Sequence, residues 1–405
     1  MTALYGLPET VAFCKVCVVS NQRPSSCVEF RNTSESKKAT IAFDSEGVCA
    51  ACRVAEAKAK TDWVERERQL RDLCDRFRRT DGHYDCIVPG SGGKDSFYAA
   101  HRLKYDFGMH PLTVTWAPHM YTDWGRKNFD AWLAAGFDNY LCTPNPKVHR
   151  LLTRLAVDNL FHPFQPFMLG QKQLAPKMAR LFQVPLVFYG ENEAEYGNPI
   201  SDTETALRGK DYYESATDAA ICLGGVSLRR LRDEYGLTAG DLAPYSPAMP
   251  WDACEVHYLG YYLKWHPQGA YYYATEKGGF EAAPERTPGT YSKYNSIDDK
   301  IDDFHYWTTF VKFGIGRATY DAAQEIRSGD ITREEGVALV KRFDGEWPAR
   351  FADEVFRYLS VDGLPEMTHA RFMDLADKFR SPHLWKAVRY EDGKTSWFLR
   401  HTVWE

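Results

Sequence analysis

Between residues 81 and 200, short apolar runs alternate with stretches of helical periodicity. The runs at 86–89, 112–116, 140–142 and 185–189 have the length of strands. Residues 96–105, 124–135, 148–160 and 171–182 place apolar side chains at three- and four-residue spacing, which predicts helices. Apolar strands separated by helices predict an α/β fold with a doubly wound parallel sheet. In such sheets ligands sit beyond the carboxyl ends of the strands.

The flanking pattern is different. Residues 53–80 carry charges of both signs, with Trp63, Leu70, Leu73, Cys74 and Phe77 at helical spacing. Glu65, Glu67, Asp72 and Asp75 interrupt the arginines, so a solvated linker helix is expected rather than a nucleic-acid helix. Residues 251–273 hold eight Trp or Tyr. Such density predicts core between layers, or else rings that stack on a sugar or base. His257, His266 and His305 show no metal-ligand spacing and read as core or surface histidines. Residues 284–294 read as a loop with the Arg, Thr and Lys of a substrate lid. Helices are expected over 297–345, one of them at 336–343 started by the capping box Thr332-x-x-Glu335. Glu391-Asp392-Gly393-Lys394 is a hairpin signal. The expected organisation is a zinc ribbon at 1–60, a linker helix at 61–80 and a nucleotide-binding α/β domain at 81–205. An aromatic and helical substrate or partner region then spans 206–345, and a helix with a hairpin spans 346–405.

The 405-residue chain has a net charge of −5 and no long basic tract, which argues against a nucleic-acid partner. No apolar run approaches a membrane span, and residues 1–19 lack a leader pattern, so a cytoplasmic protein is expected. Ten cysteines then suggest metal or thiol chemistry more than disulfides. Four of them form two knuckles, Cys14-x-x-Cys17 and Cys49-x-x-Cys52, with β-type alternation between. Two such pairs predict a tetrahedral site for a structural Zn²⁺ with no open position for catalysis. Cys27 is a spare ligand or, more simply, a core thiol.

The strand at 86–89 runs into Gly90-Ser91-Gly92-Gly93-Lys94-Asp95-Ser96 and then a helix. Glycines at a strand–helix turn aim backbone N–H groups into one concavity at the positive end of a helix dipole, which suits phosphate. Ser91, Gly92, Gly93, Lys94, Asp95 and Ser96 are therefore the candidate phosphate-binding residues. Lys94 would neutralise charge and Asp95 would hold Mg²⁺ or a substrate group. The stretch fails the Walker A pattern, because Asp follows Lys94, and it fails the dinucleotide pattern. Thr115 and Trp116 end the second strand, where adenine or ribose is expected. Glu191, Glu193 and Glu195 follow the fourth; the first two are candidates for Mg²⁺ binding, ammonia orientation or proton transfer.

Ser91-Gly92-Gly93-Lys94-Asp95-Ser96 resembles the loop of the ATP-pyrophosphatase (PP-loop) superfamily, which cleaves ATP between its α- and β-phosphates. With the cysteine pairs and residues 162–167, 189–199, 289–294, 298–302, 312–320 and 331–335, the chain resembles the N-acetyl sugar amidotransferases (WbpG- and PseA-like) of surface-glycan biosynthesis. That resemblance covers about residues 10–345. It implies an enzyme that uses ATP and Mg²⁺ to turn an acetamido group of a nucleotide-activated or acidic amino sugar into an acetamidino group. The intermediate would be an O-adenylyl imidate. Lys293, Lys300 and Arg317 are candidates for the substrate. The chain begins Met1-Thr2 and has no Gly-x-Cys-x-Gly elbow. The resemblance implies that separate glutaminase and cyclase-like subunits, similar to those of imidazole glycerol phosphate synthase, supply ammonia.

Three other readings share these motifs. A tRNA thiolation or lysidine-type enzyme would use the same loop, and thiolation needs a persulfide cysteine, for which Cys142 and Cys222 are the spares. A zinc-ribbon scaffold without catalysis would not need Lys94 and Asp95. Amidation of a carboxylate, as in asparagine synthetase, differs only in the acceptor.

Overall fold

The computed structural model describes residues 2–25, 29–198, 205–215, 220–389 and 395–405. Cys27 and the hairpin signal at 391–394 lie outside them.

Two helices, α1 (Ala50–Ala59) and α2 (Trp63–Phe77), replace the single linker helix expected. Asp62 separates them by accepting hydrogen bonds from Val64 and Glu65 N–H as the α2 cap. The central sheet follows. Its first four strands are β1 (Cys86–Pro89), β2 (Pro111–Trp116), β3 (Asp138–Cys142) and β4 (Leu186–Tyr189). They alternate with α3 (Lys94–Tyr105), α4 (Asp123–Ala134), α5 (Pro146–Leu160) and α6 (Gln165–Phe182). Helix α6 starts six residues before the expected position, because Pro166 falls in its first turn, where a missing N–H costs nothing.

A small antiparallel pair, β5 (Cys222–Leu223) and β6 (Val226–Ser227), precedes α7 (Leu228–Tyr235) and α8 (Ala239–Leu242). The aromatic stretch then supplies a fifth strand of the main sheet, β7 (Glu255–Tyr258), followed by α9 (Leu259–Tyr262) and α10 (Pro267–Gly278). The order β3-β2-β1-β4-β7 is parallel throughout. The sheet therefore draws its last strand from the 206–345 region.

Each face of the sheet is covered by helices. Ile87, Leu112, Val114, Val187 and Val256 pack with α5 and α6 on one side. Cys86, Val88, Leu186 and Phe188 pack with α2, α3 and α10 on the other. Winding reverses between β1 and β4. At this switch point the loops after both strands meet in one crevice.

The remaining helices are α11 (Asp302–Phe313), α12 (Arg317–Ser328), α13 (Arg333–Phe343), α14 (Ala352–Leu359) and α15 (His369–Phe379). The Thr332–Glu335 capping box forms with both of its bonds. Strands β8 (Trp385–Arg389) and β9 (Thr395–Leu399) make the C-terminal hairpin. The cysteine-bearing segment packs on α12 and α13 through Ile315, Ala322 and Val340. The last 60 residues hold it from behind: Ser381 Oγ accepts from Leu4 N–H at 2.9 Å, and His383 Nε2 lies 3.0 Å from Gln22 Oε1. Among the described residues, no helix is long and apolar enough to cross a membrane.

Candidate active site

The glycine-rich loop leaves β1 at Gly90, whose N–H donates to Val114 O at 3.0 Å. Glycine is required here. A Cβ on Gly90 would lie 2.0 Å from the Trp132 ring, and one on Gly92 would lie 2.6 Å from Asn128 O. Gly92 also has φ +87°, in the left-handed region. Gly93 is the N-cap of α3 and makes no side-chain cap, so the first N–H groups of the helix stay open to an anion.

Lys94 is buried, and its Nζ lies 2.5 Å from Asp95 Oδ2. The other Asp95 oxygen accepts from the Trp265 indole at 2.9 Å. Ser96 Oγ turns back to Gly93 O at 2.9 Å. Ser91 Oγ donates to Asp298 Oδ2 at 3.0 Å. Burial, and then the neighbouring Asp299 charge, raise the Asp298 carboxyl above its ordinary value.

Across the switch point, Gly190 lets the β4 loop approach α3; a Cβ there would sit 3.0 Å from Asp95 O. This brings Glu191 against the glycine-rich loop. Its carboxyl is raised to about 7, first by burial and next by the Asp95 charge, with Lys94 opposing. Tyr196 donates to Glu191 at 3.2 Å. Glu193 accepts from Arg208 at 2.5 Å and Asn198 at 2.8 Å. Glu195 pairs with Lys58 at 2.6 Å.

One cavity of about 490 Å³ joins these parts: Lys94, Asp95, Glu191, Glu193 and Arg317 all line it. Arg317 stacks over Tyr306 at 4.4 Å and pairs with Asp321 at 3.0 Å. The other two substrate candidates lie elsewhere. Lys293 donates to Pro284 O at 2.9 Å on the surface, and Lys300 pairs with Glu354 at 2.7 Å. Thr115 and Trp116 are buried beneath the strand ends and do not line the cavity. Thr115 Oγ1 accepts from Asn139 at 2.9 Å, and the Trp116 indole packs on Gly170. The end of β2 is instead covered by the 297–301 segment, where Asp299 accepts from His119 N–H at 2.7 Å.

The segment expected to be a lid is tied down. Thr287, Thr290 and Ser292 are buried, and Thr290 donates to Asp321 at 2.6 Å. Arg23, Glu29, Lys38, Lys172 and Arg208 line the cavity although no local pattern marked them. Lys172 lies in α6, within the part of that helix expected from the sequence. His305 was expected to be core or surface; it lines the cavity, stacked on His162 at 4.9 Å.

The four cysteines form a separate buried centre. Their sulfurs lie within 4.8 Å of one another, with Cys14–Cys52 at 3.8 Å and Cys17–Cys49 at 3.7 Å. Zn–S bonds of ~2.3 Å in a tetrahedron place sulfurs ~3.8 Å apart, so the set fits zinc, whereas a disulfide needs ~2.05 Å. Hydrogen bonds from the other three thiols push the Cys14 thiol far below its ordinary value. Val16, Cys17 and Cys49 N–H also point to its sulfur at 3.3 to 3.5 Å. All four positions are protein ligands, so such a metal would be structural.

Residues 288–397 match a family model described as LPS biosynthesis protein WbpG-like, C-terminal domain. This stretch of the chain carries a WbpG-like domain, the family anticipated from the motifs. A protein of Methanocaldococcus jannaschii, named Uncharacterized protein MJ1599, is 31% identical over 90 residues, which is 22% of this chain and 31% of that protein. The chain thus matches less than a third of that relative's length.

Proposed function

We propose that this protein is an AMP-forming, ATP-dependent amidotransferase that converts the acetamido group of a nucleotide-activated or acidic amino sugar into an acetamidino group for surface-glycan synthesis. The observation that carries this is the convergence of Lys94, Asp95 and Glu191 at the switch point, on one cavity, beside an uncapped helix N-terminus. That combination suits phosphate on one side and proton transfer on the other.

An amide carbon is a poor electrophile and its oxygen a poor leaving group. Attack of the amide oxygen on the α-phosphorus of ATP expels pyrophosphate and leaves an O-adenylyl imidate. The α3 N-terminus and Lys94 stabilise the departing charge. Asp95 would hold Mg²⁺, which when bound neutralises the phosphates. Glu191 takes a proton from ammonium, and the ammonia so formed attacks the imidate carbon. AMP leaves with the former amide oxygen. Glu193 fixes Arg208 and so shapes the wall. Separate glutaminase and cyclase-like subunits supply ammonia in this reading, and the protein works in the cytoplasm.

Thiolation of tRNA fits less well. Cys142 and Cys222 are half-buried at the ends of β3 and in β5, and neither lines the cavity. Nucleotide products test the proposal. AMP and pyrophosphate are expected, in amounts that depend on both ammonium and a diacetamido sugar. ADP would overturn it.

A further inference from the structure

The cavity walls carry eight Lys or Arg and five carboxylates among the described residues, although the whole chain is net negative. The chemistry above uses Lys94, Asp95 and Glu191. A second group of cations comes from three separate parts of the chain: Arg23 and Lys38 from the cysteine-bearing segment, Lys172 from α6 and Lys312 from α11.

Among the described residues, Glu29 is the wall carboxylate that forms an ion pair with this group. Glu29 pairs with Lys38 at 3.3 Å, and His162 lies 3.9 Å from it. Burial works against its ionisation, but the charges of Lys38 and then Lys172 hold it below its ordinary value, so it stays charged. Lys312 is buried and donates to Leu160 O at 2.7 Å. Among the described residues no carboxylate lies within ion-pairing distance of it. Burial first, and then Lys38, lower its ammonium to about 7. Its other neighbours include the Tyr5 and Phe313 rings, each 5.0 Å away. A buried cation held by a carbonyl and ring faces is costly, and a ligand anion would offset that cost.

The walls between also suit a sugar. His162 and His305 stack, and burial keeps both neutral. Among the described residues their Nδ1 atoms are buried without a hydrogen-bond partner, so each can meet a hydroxyl. Phe161, Tyr306 and Phe313 add apolar and aromatic surface.

We propose that Arg23, Lys38, Lys172 and Lys312 form an anion subsite that binds a phosphate or carboxylate carried by the acceptor. Calling the ligand the acceptor rests on the proposed function; the subsite itself rests on the cations. The cysteine-bearing segment is then part of the binding site as well as a structural module.

The test is equilibrium binding and needs no turnover. The full-length protein is first loaded with α,β-methylene ATP to fill the phosphate loop, then titrated calorimetrically with pyrophosphate and, separately, with glucuronate. At least one probe should bind. Its affinity should fall about tenfold or more in Arg23→Gln and in Lys172→Met, the size expected for one charge-assisted contact. Affinity for the ATP analogue should change by less than about twofold, because Arg23 belongs to the cysteine-bearing segment and Lys172 to α6, both outside the 90–96 loop. Binding of pyrophosphate alone assigns the subsite to a phosphate, and of glucuronate alone to a carboxylate. Failure of both probes to bind, or equal binding by wild type and both variants, overturns the subsite. If the ATP analogue itself does not bind, the nucleotide reading fails. The same titrations on unloaded protein then still decide the subsite.

Discussion

Glu191 opposes folding when ionised, and in the proposed reaction the same carboxylate is the base. Its carboxyl titrates near 7 in the folded chain against an ordinary 4.5. The native state therefore holds the proton more tightly than the unfolded chain. That favours folding below pH 4.5, and the advantage is lost as pH rises through 7. Glu191→Gln keeps the shape without the charge. At pH 8 it should be more stable than wild type by on the order of 2 kcal/mol, seen as a Tm higher by a few degrees, with no gain at pH 4. Its turnover should fall by about a hundredfold or more, and the acid limb near pH 7 in the wild-type rate profile should disappear. Equal Tm values at pH 8 would show that its surroundings do not raise the Glu191 carboxyl. Lys94→Ala and Asp95→Ala should abolish AMP formation and leave the circular-dichroism spectrum unchanged. Normal turnover in either variant would refute the phosphate-loop chemistry.

At the scale of elements, the turn from β1 to α3 depends on glycine. Gly92→Ala puts a Cβ against the Asn128 carbonyl at a left-handed φ. Denaturant melts should show a loss of at least about 2 kcal/mol. A variant as stable as wild type would mean that the loop has another conformation. This turn was legible in the sequence because its glycines, lysine and helix start are contiguous. The capping box before α13 was legible for the same reason. Strand β7 was not: Glu255 and His257 interrupt an aromatic run whose rings serve both β7 and α10, and periodicity does not separate the two. The early start of α6 was missed because Pro166 reads as a break unless the first turn is known to lie there.

The cysteine-bearing segment is the element whose loss should spread furthest. Its sulfurs anchor α1 through Cys49 and Cys52, and Arg327 of α12 points to Cys17 Sγ at 3.9 Å. Removing metal with a chelator should release about one zinc per chain and speed amide exchange at least tenfold across residues 10–60. Residues 315–340, which pack on the segment, should follow more weakly. Metal release without any change in exchange would contradict a structural role for it.

Across the whole molecule, the cavity is where long-range contacts escape sequence reading. Lys94, Asp95 and Glu191 were legible because each follows a strand and parallel sheets gather strand ends. Arg23, Lys38 and Lys172 come together only through packing of the first 60 residues against α6 and α11. Lys293 and Lys300 share the charge and neighbourhood of Arg317 in the chain, yet a carbonyl and Glu354 hold them outside. Thr115 and Trp116 end a strand whose end the 297–301 segment covers, so their side chains fill core. The final 60 residues gave little to read; their part is to brace the N-terminal segment from behind.

The central claim is that the acceptor's amide oxygen is adenylated and then leaves with AMP. The most direct measurement uses a diacetamido nucleotide sugar carrying heavy oxygen in its amides, with ATP, Mg²⁺ and ammonium. Mass spectrometry should find the heavy oxygen in AMP, and a sugar in which NH has replaced O at one amide. AMP without heavy oxygen, beside an unchanged sugar, would contradict the account.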